Sequence, residues 1–148
     1  MRPHLNTMAN TSENGIAFFL VSLHGGGAER VMVTLANSMA SEGLNVSLIV
    51  GNADGAYLQE VSPLVSLCNL KKSRAIECIL PLAKFLRRFK PLVLYTTMDY
   101  LNVVGILSNA LAGSPSKVIV REATTFSKNL MQSKPAVRLF LPFLMYSC

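Results

Sequence analysis

Three cysteines, at positions 68, 78 and 148, are all this 148-residue chain holds, and no two of them form a C-x-x-C pair. That count excludes a disulfide framework, and the spacing offers no zinc site. Cys68, Cys78 and Cys148 therefore read as plain thiols in a reducing compartment. Long apolar runs are also missing, since nothing reaches the roughly 18 uninterrupted apolar residues of a membrane-spanning helix. The apolar stretch from Ile16 to Leu23 has only Arg2 and His4 as basic flank and no A-x-A cleavage pattern, so it reads as a strand and not a signal peptide. Internal repeats and low-complexity segments are absent, as are a basic-aromatic RNA signature, zinc spacing and a helix-turn-helix pattern. Nucleic acid is not an expected partner, and a cytoplasmic location is.

What the chain has is apolar content, 51% of it, enough for one core that buries about 70% of the unfolded surface. Residues 1–14 are polar and without periodicity, and read as a loose leader before one domain at 15–148. Beyond the leader, strand and helix patterns alternate. Strands are expected over 16–21, 46–50, 65–70, 92–96 and 117–121. Helices are expected over 28–42, 75–89, 100–112 and, interrupted by prolines, 128–146, with one helical turn at 57–60. Gly43 and Gly113 stand where helix-ending glycines belong. Val31, Leu35 and Met39 mark the core side of the first helix, and Ile76, Ile79, Leu80, Ala83 and Leu86 that of the second. The expected fold is α/β: a Rossmann-like, doubly wound parallel sheet in the order 3-2-1-4-5.

In such sheets ligands bind beyond the carboxyl ends of the strands, where the order reverses. Loops 24–27, 96–99 and 121–125 meet there. The first breaks an apolar strand with Gly25, Gly26 and Gly27 and resumes as a helix. A helix N-terminus presents unpaired N–H groups, and glycines remove the Cβ atoms that would hold a phosphate or sugar away. A tight turn alone is the structural alternative. Ala28-Glu29-Arg30 lacks the Lys-Ser/Thr of a P-loop, and Arg30 stands where a dinucleotide fingerprint has its third glycine, although Asp54 follows the second strand. His24-Gly25-Gly26-Gly27 spells an esterase oxyanion motif, but no G-x-S-x-G elbow accompanies it.

Candidate binding residues are thus His24, Gly25, Gly26, Gly27, Glu29, Asp99, Arg121, Glu122 and Thr124. Each has a structural alternative: His24 packed beside the first helix, Glu29 complementing the helix dipole, Asp99 capping the helix that follows it. Arg121 and Glu122, placed after a buried strand, are expected to pair with each other or with a ligand.

Gly26-Gly27-Ala28-Glu29, then Leu35-Ala36-Asn37, Glu42-Gly43, Lys90-Pro91 and Val118-Ile119-Val120-Arg121-Glu122 follow in an order and spacing that resemble the N-terminal half of glycosyltransferase family 4 enzymes of GT-B architecture. The resemblance covers residues 16–148. It implies an acceptor-side domain of an enzyme that moves a sugar from a nucleotide-sugar donor, with retention, to a cell-surface glycan or lipid-linked acceptor, with no cofactor or metal. Many relatives carry a histidine after the fifth strand where this chain has Ala123, so no catalytic residue is assigned. The relatives hold the donor in a second domain, so the chain reads as an incomplete half that does not transfer sugar alone. A non-catalytic nucleotide-binding Rossmann-like domain is the alternative.

Charge is uneven: residues 1–60 carry net −3 and residues 61–148 net +9. Lys84, Arg87, Arg88 and Lys90 gather at one helix end beside Phe85 and Phe89. An anionic membrane surface, at the inner face of the cytoplasmic membrane, is the candidate partner, with a solvated, dipole-favoured helix end as the structural alternative.

Overall fold

The computed structural model describes residues 15–122. Five parallel strands, β1 (Ile16–Leu20), β2 (Val46–Val50), β3 (Ser66–Asn69), β4 (Val93–Thr97) and β5 (Lys117–Arg121), lie in the order β3-β2-β1-β4-β5. This is the doubly wound, Rossmann-like α/β sheet that the alternation predicts. β1 sits at the centre, with Phe18 registered against Leu48 on one side and Tyr95 on the other. Its uncharged sequence IAFFL follows from that place, since a central parallel strand is covered on both faces. Phe18, Phe19, Leu20, Leu48, Ile49 and Leu94 are fully buried, each large side chain contributing roughly 1.5–3 kcal/mol relative to exposure.

Three helices, α1 (Gly27–Ser41), α2 (Ile79–Phe89) and α3 (Asp99–Leu111), connect the strands. α1 packs on β1 and β2, whereas α2 packs against α3. Right-handed crossovers put α1 on one face of the sheet and the α2–α3 pair on the other. α1 and α3 end as their glycines predict. Leu44 N–H donates to the Met39 carbonyl and Ser114 N–H to that of Asn109, across Gly43 and Gly113 at φ 83° and 90°. The helical turn expected at 57–60 is a 3₁₀ segment, Ala56–Glu60.

The helix faces differ from expectation. In α1 the buried residues are Met32, Val33, Ala36 and Ala40, while Leu35 and Met39 pack only partly against the core and Val31 is half-buried. The small Ala36 and Ala40 thus lie on the buried side of the helix, and the larger Leu35 and Met39 lie at its margin. In the second helical segment Ala83 and Leu86 are buried and Ile79 packs partly against the core, as expected, but Ile76 and Leu80 are 71% and 66% exposed, and Cys78, Leu82 and Phe85 take their places. Pro81 explains the shift. It lacks an N–H and is tolerated only in the first helical turn, so α2 begins at Ile79 and residues Ala75–Cys78 form a 3₁₀ turn of different pitch. The leader at 1–14, the helix expected at 128–146 and Cys148 lie outside the described residues.

Candidate functional site

β1 and β4 are neighbours joined through opposite halves of the sheet, so the loops leaving their carboxyl ends diverge and open a crevice. The β1 loop is stitched to the β2 loop. Leu23 N–H donates to the Asp54 carbonyl at 3.0 Å, and Tyr57 N–H to that of Leu23 at 3.0 Å. Gly55 makes this possible: at φ 115° it lies so close that a Cβ would run into the Leu23 carbonyl and the His24 amide. His24 is exposed rather than packed beside α1, with Nε2 3.3 Å from Asp54 Oδ1. Asn52 Nδ2 donates to the other Asp54 oxygen at 2.9 Å and holds that carboxylate in place.

The three glycines have three different environments. Gly25 has φ 123°, a conformation that L side chains rarely adopt. Gly26 is the extended N-cap of α1, and the Glu29 carboxylate occupies the space where its Cβ would be. Glu29, in the first helical turn, thus folds back over the cap as the acid of a capping box does. Gly27 has an ordinary backbone, and no atom lies within 4 Å of a Cβ built on it. Gly26, having no side chain, gives the start of the helix no side-chain cap hydrogen bond.

At the end of β4 stand Thr96 and Thr97, both fully buried, followed by Met98 at φ 71°. Asp99 does not cap α3. The cap position is Met98, whose carbonyl accepts from Leu101 and Asn102 at 3.0 and 2.9 Å, and Asp99 is the first helical residue. The helix starts one residue earlier than expected because Met98 itself takes the non-helical backbone, a strained arrangement that costs on the order of 1–3 kcal/mol.

Of the two expected arrangements for Arg121 and Glu122, pairing with each other or with a ligand, the first is not formed among the described residues. Arg121 Nη1 reaches Thr97 Oγ1 at 3.5 Å, while Glu122 turns to α3. There a buried relay operates: the Thr96 hydroxyl donates to Asn102 Oδ1 at 2.8 Å, and Asn102 Nδ2 donates to Glu122 Oε1 at 3.1 Å. Glu122 Oε2 is buried with no donor among the described residues, and its neighbour is Asp99. Burial, and then the hydrogen bond to Asp99 and that group's charge, push the Glu122 carboxyl up to about 7, against the opposing bond from Asn102. Once protonated, Oε2 becomes a donor toward Asp99. Near neutral pH the Glu122 carboxyl is thus partly protonated, and beside Asp99 it offers a donor and acceptors together.

The Gly25–Gly27 turn and this carboxyl pair belong to one edge. The Tyr100 phenol is pushed up by burial and then by the charge of Glu29, which brings the first turns of α1 and α3 into electrostatic contact. Of the sequence candidates, Gly25, Gly26, Gly27, Glu29, His24, Asp99, Arg121 and Glu122 stand at the carboxyl edge, while Thr124 lies outside the described residues. Lys84, Arg87, Arg88 and Lys90 are exposed away from it, on α2 and its end. Phe85 is not beside them at the surface but buried in the core, its ring tilted 43° against that of half-buried Phe89 with centroids 4.7 Å apart. Sequence reading placed Thr96 in one of the converging loops without giving it a role, and missed Asn102 and Gly55. Asn102 had a signal, an amide within the apolar helix pattern LNVVGIL.

The chain matches no family model and no curated protein. Function therefore rests on the site. Among the described residues no group of three or more His, Cys, Asp or Glu side chains is placed to hold a metal ion, and no helix is long and apolar enough to cross a membrane.

Proposed function

We propose that this domain is the acceptor-side half of a retaining, nucleotide-sugar-dependent glycosyltransferase, and that its carboxyl edge binds a hydroxyl-rich ligand. The observation that carries this reading is the placement of an unobstructed helix start at Gly27 and the Asp99–Glu122 carboxyl pair at one edge of the sheet reversal. Sugar hydroxyls are donors and acceptors at once, and a partly protonated Glu122 beside Asp99 supplies both partners. The uncapped N–H groups of α1 suit a developing phosphate charge or a ligand hydroxyl. In this reading Asp99 and Glu122 hold the acceptor, His24 contributes from the rim, and Arg121 balances charge near the donor. Catalysis by positioning and by stabilising the departing phosphate needs no dedicated base. The order of motifs from Gly26 to Glu122 supports the same class.

The test is an amide NMR titration of the chain with nucleotide sugars and with glycan acceptors. Shifts centred on Gly27, Asp99 and Glu122 with a glycan or nucleotide sugar are expected. Transfer of labelled sugar by this domain joined to a donor-binding domain, lost in Glu122→Ala, completes the test. Absence of any response at these residues refutes the reading.

One observation favours a second reading, a non-catalytic nucleotide-binding domain. Asp54, oriented by Asn52 and facing His24, lies beyond β2, where dinucleotide folds place a ribose-binding acid. Shifts confined to His24 and Asp54, given by nucleotides without sugar, would select it.

A further inference from the structure

One flank of the domain carries side chains that neither the core nor the carboxyl edge uses. Along the second helical segment the exposed positions are Ile76, Glu77, Leu80, Lys84, Arg87 and Arg88. Their three- and four-residue spacing puts them on a single face, opposite buried Leu82, Ala83, Phe85 and Leu86. Ile76 and Leu80, at 71% and 66%, are the most exposed large apolar side chains among the described residues. The face is thus apolar where it begins and basic where it ends. α3, packed beside it, adds exposed Leu107 and Leu111 and has no charge after Asp99. Arg87 Nη2 donates to the Leu111 carbonyl at 2.6 Å and ties the two helix ends together. Because α2 follows the carboxyl end of β3, Ile76 and Leu80 belong to the half of this flank nearer the ligand edge.

We propose that the α2–α3 flank docks on an anionic lipid surface, with Ile76 and Leu80 entering the boundary between headgroups and acyl chains and Lys84, Arg88 and Lys90 meeting the lipid phosphates. This does not rest on the ligand reading above. A layer of anions over an apolar layer matches both parts of the face. A second copy would bring the same basic groups into opposition. Residues 123–148 contain Lys128, Lys134 and Arg138 and no acid, so they cannot neutralise the face either. A nucleic acid would pair with the cations but leave two aliphatic side chains unburied. Glu77 is the one acid on the face and opposes binding slightly.

The experiment is co-sedimentation of the chain with vesicles of phosphatidylcholine alone or mixed with phosphatidylserine, at low and high salt. Binding to the mixed vesicles only, weakened by salt, is expected. Lys84→Glu with Arg88→Glu should reduce it by more than about twentyfold, at roughly fivefold for each lost cation. Ile76→Ser with Leu80→Ser should reduce it at least about tenfold. Both sites are exposed, so the circular dichroism and melting of these variants should match the parent, and the two pairs probe the surface independently. Equal binding to neutral vesicles, or retention by either double variant, overturns the proposal. So does a dimer that Ile76→Ser with Leu80→Ser dissociates, or tighter binding to DNA than to the mixed vesicles.

Discussion

Gly27 separates a ligand role from a folding role more cleanly than any other residue of the glycine turn. Its neighbours are tied to the fold: Gly25→Ala places a Cβ at φ 123° and should cost about 1–2 kcal/mol, while Gly26→Ala displaces the Glu29 carboxylate. Gly27 is the first residue of α1, has helical geometry and faces no atom within 4 Å. Alanine there removes only the conformational freedom of the unfolded chain, so Gly27→Ala should raise stability by about 0.4–1 kcal/mol. For a domain of this size that is a gain of a few degrees in Tm. Gly27→Val should fold equally well but fill the space through which a sugar or phosphate approaches the helix start. Affinity for the ligand should fall at least about tenfold, or roughly 1.4 kcal/mol. Thermal melts and NMR titrations of both variants read the two effects separately. A destabilised Gly27→Ala would refute the claim of open space, and a folded Gly27→Val with unchanged affinity would remove this loop from the site.

Glu122 gives a pH signature. Its carboxyl lies near 7 in the fold against an ordinary 4.5, so the protonated form stabilises the fold. That contribution is complete below the ordinary value and is lost as pH rises through about 7. Urea midpoints should therefore fall between pH 5 and pH 8, and Glu122→Gln should flatten this dependence; an unchanged slope in the variant sinks the assignment. Asn102→Ala leaves the buried Thr96 hydroxyl and the part-buried Glu122 Oε1 without this partner, at a cost of about 1–3 kcal/mol. Denaturation at pH 5 and pH 8 checks it, and no loss at either pH would show that the relay is not formed. Gly55→Ala, by colliding with the backbone of Leu23 and His24 at a positive φ, should cost more than about 2 kcal/mol and shift the His24 and Asp54 resonances. Wild-type stability in that variant would contradict the close approach of the two loops.

The alternation of patterns was enough to decide the class, the five strands and their order. Strand period, helix period and the handedness of parallel crossovers are local or near-local properties, written in consecutive residues such as IAFFL and GAERVMVTLANSMAS. The turn glycines and the acids of the carboxyl edge were legible for the same reason, since topology alone says which loops must meet. The tertiary structure decided how they meet. Pro81 reset the phase of α2 and turned Ile76 and Leu80 outward, an effect that a simple helical wheel does not carry. Met98 took the cap position expected of Asp99. Asn102 joined β4, α3 and the end of β5 across up to 20 residues of sequence, and Gly55 owes its glycine to a neighbouring loop. Such pairings depend on the register of strands far apart in the chain and on which groups are left without water, and burial of this kind exists only once the sheet has formed.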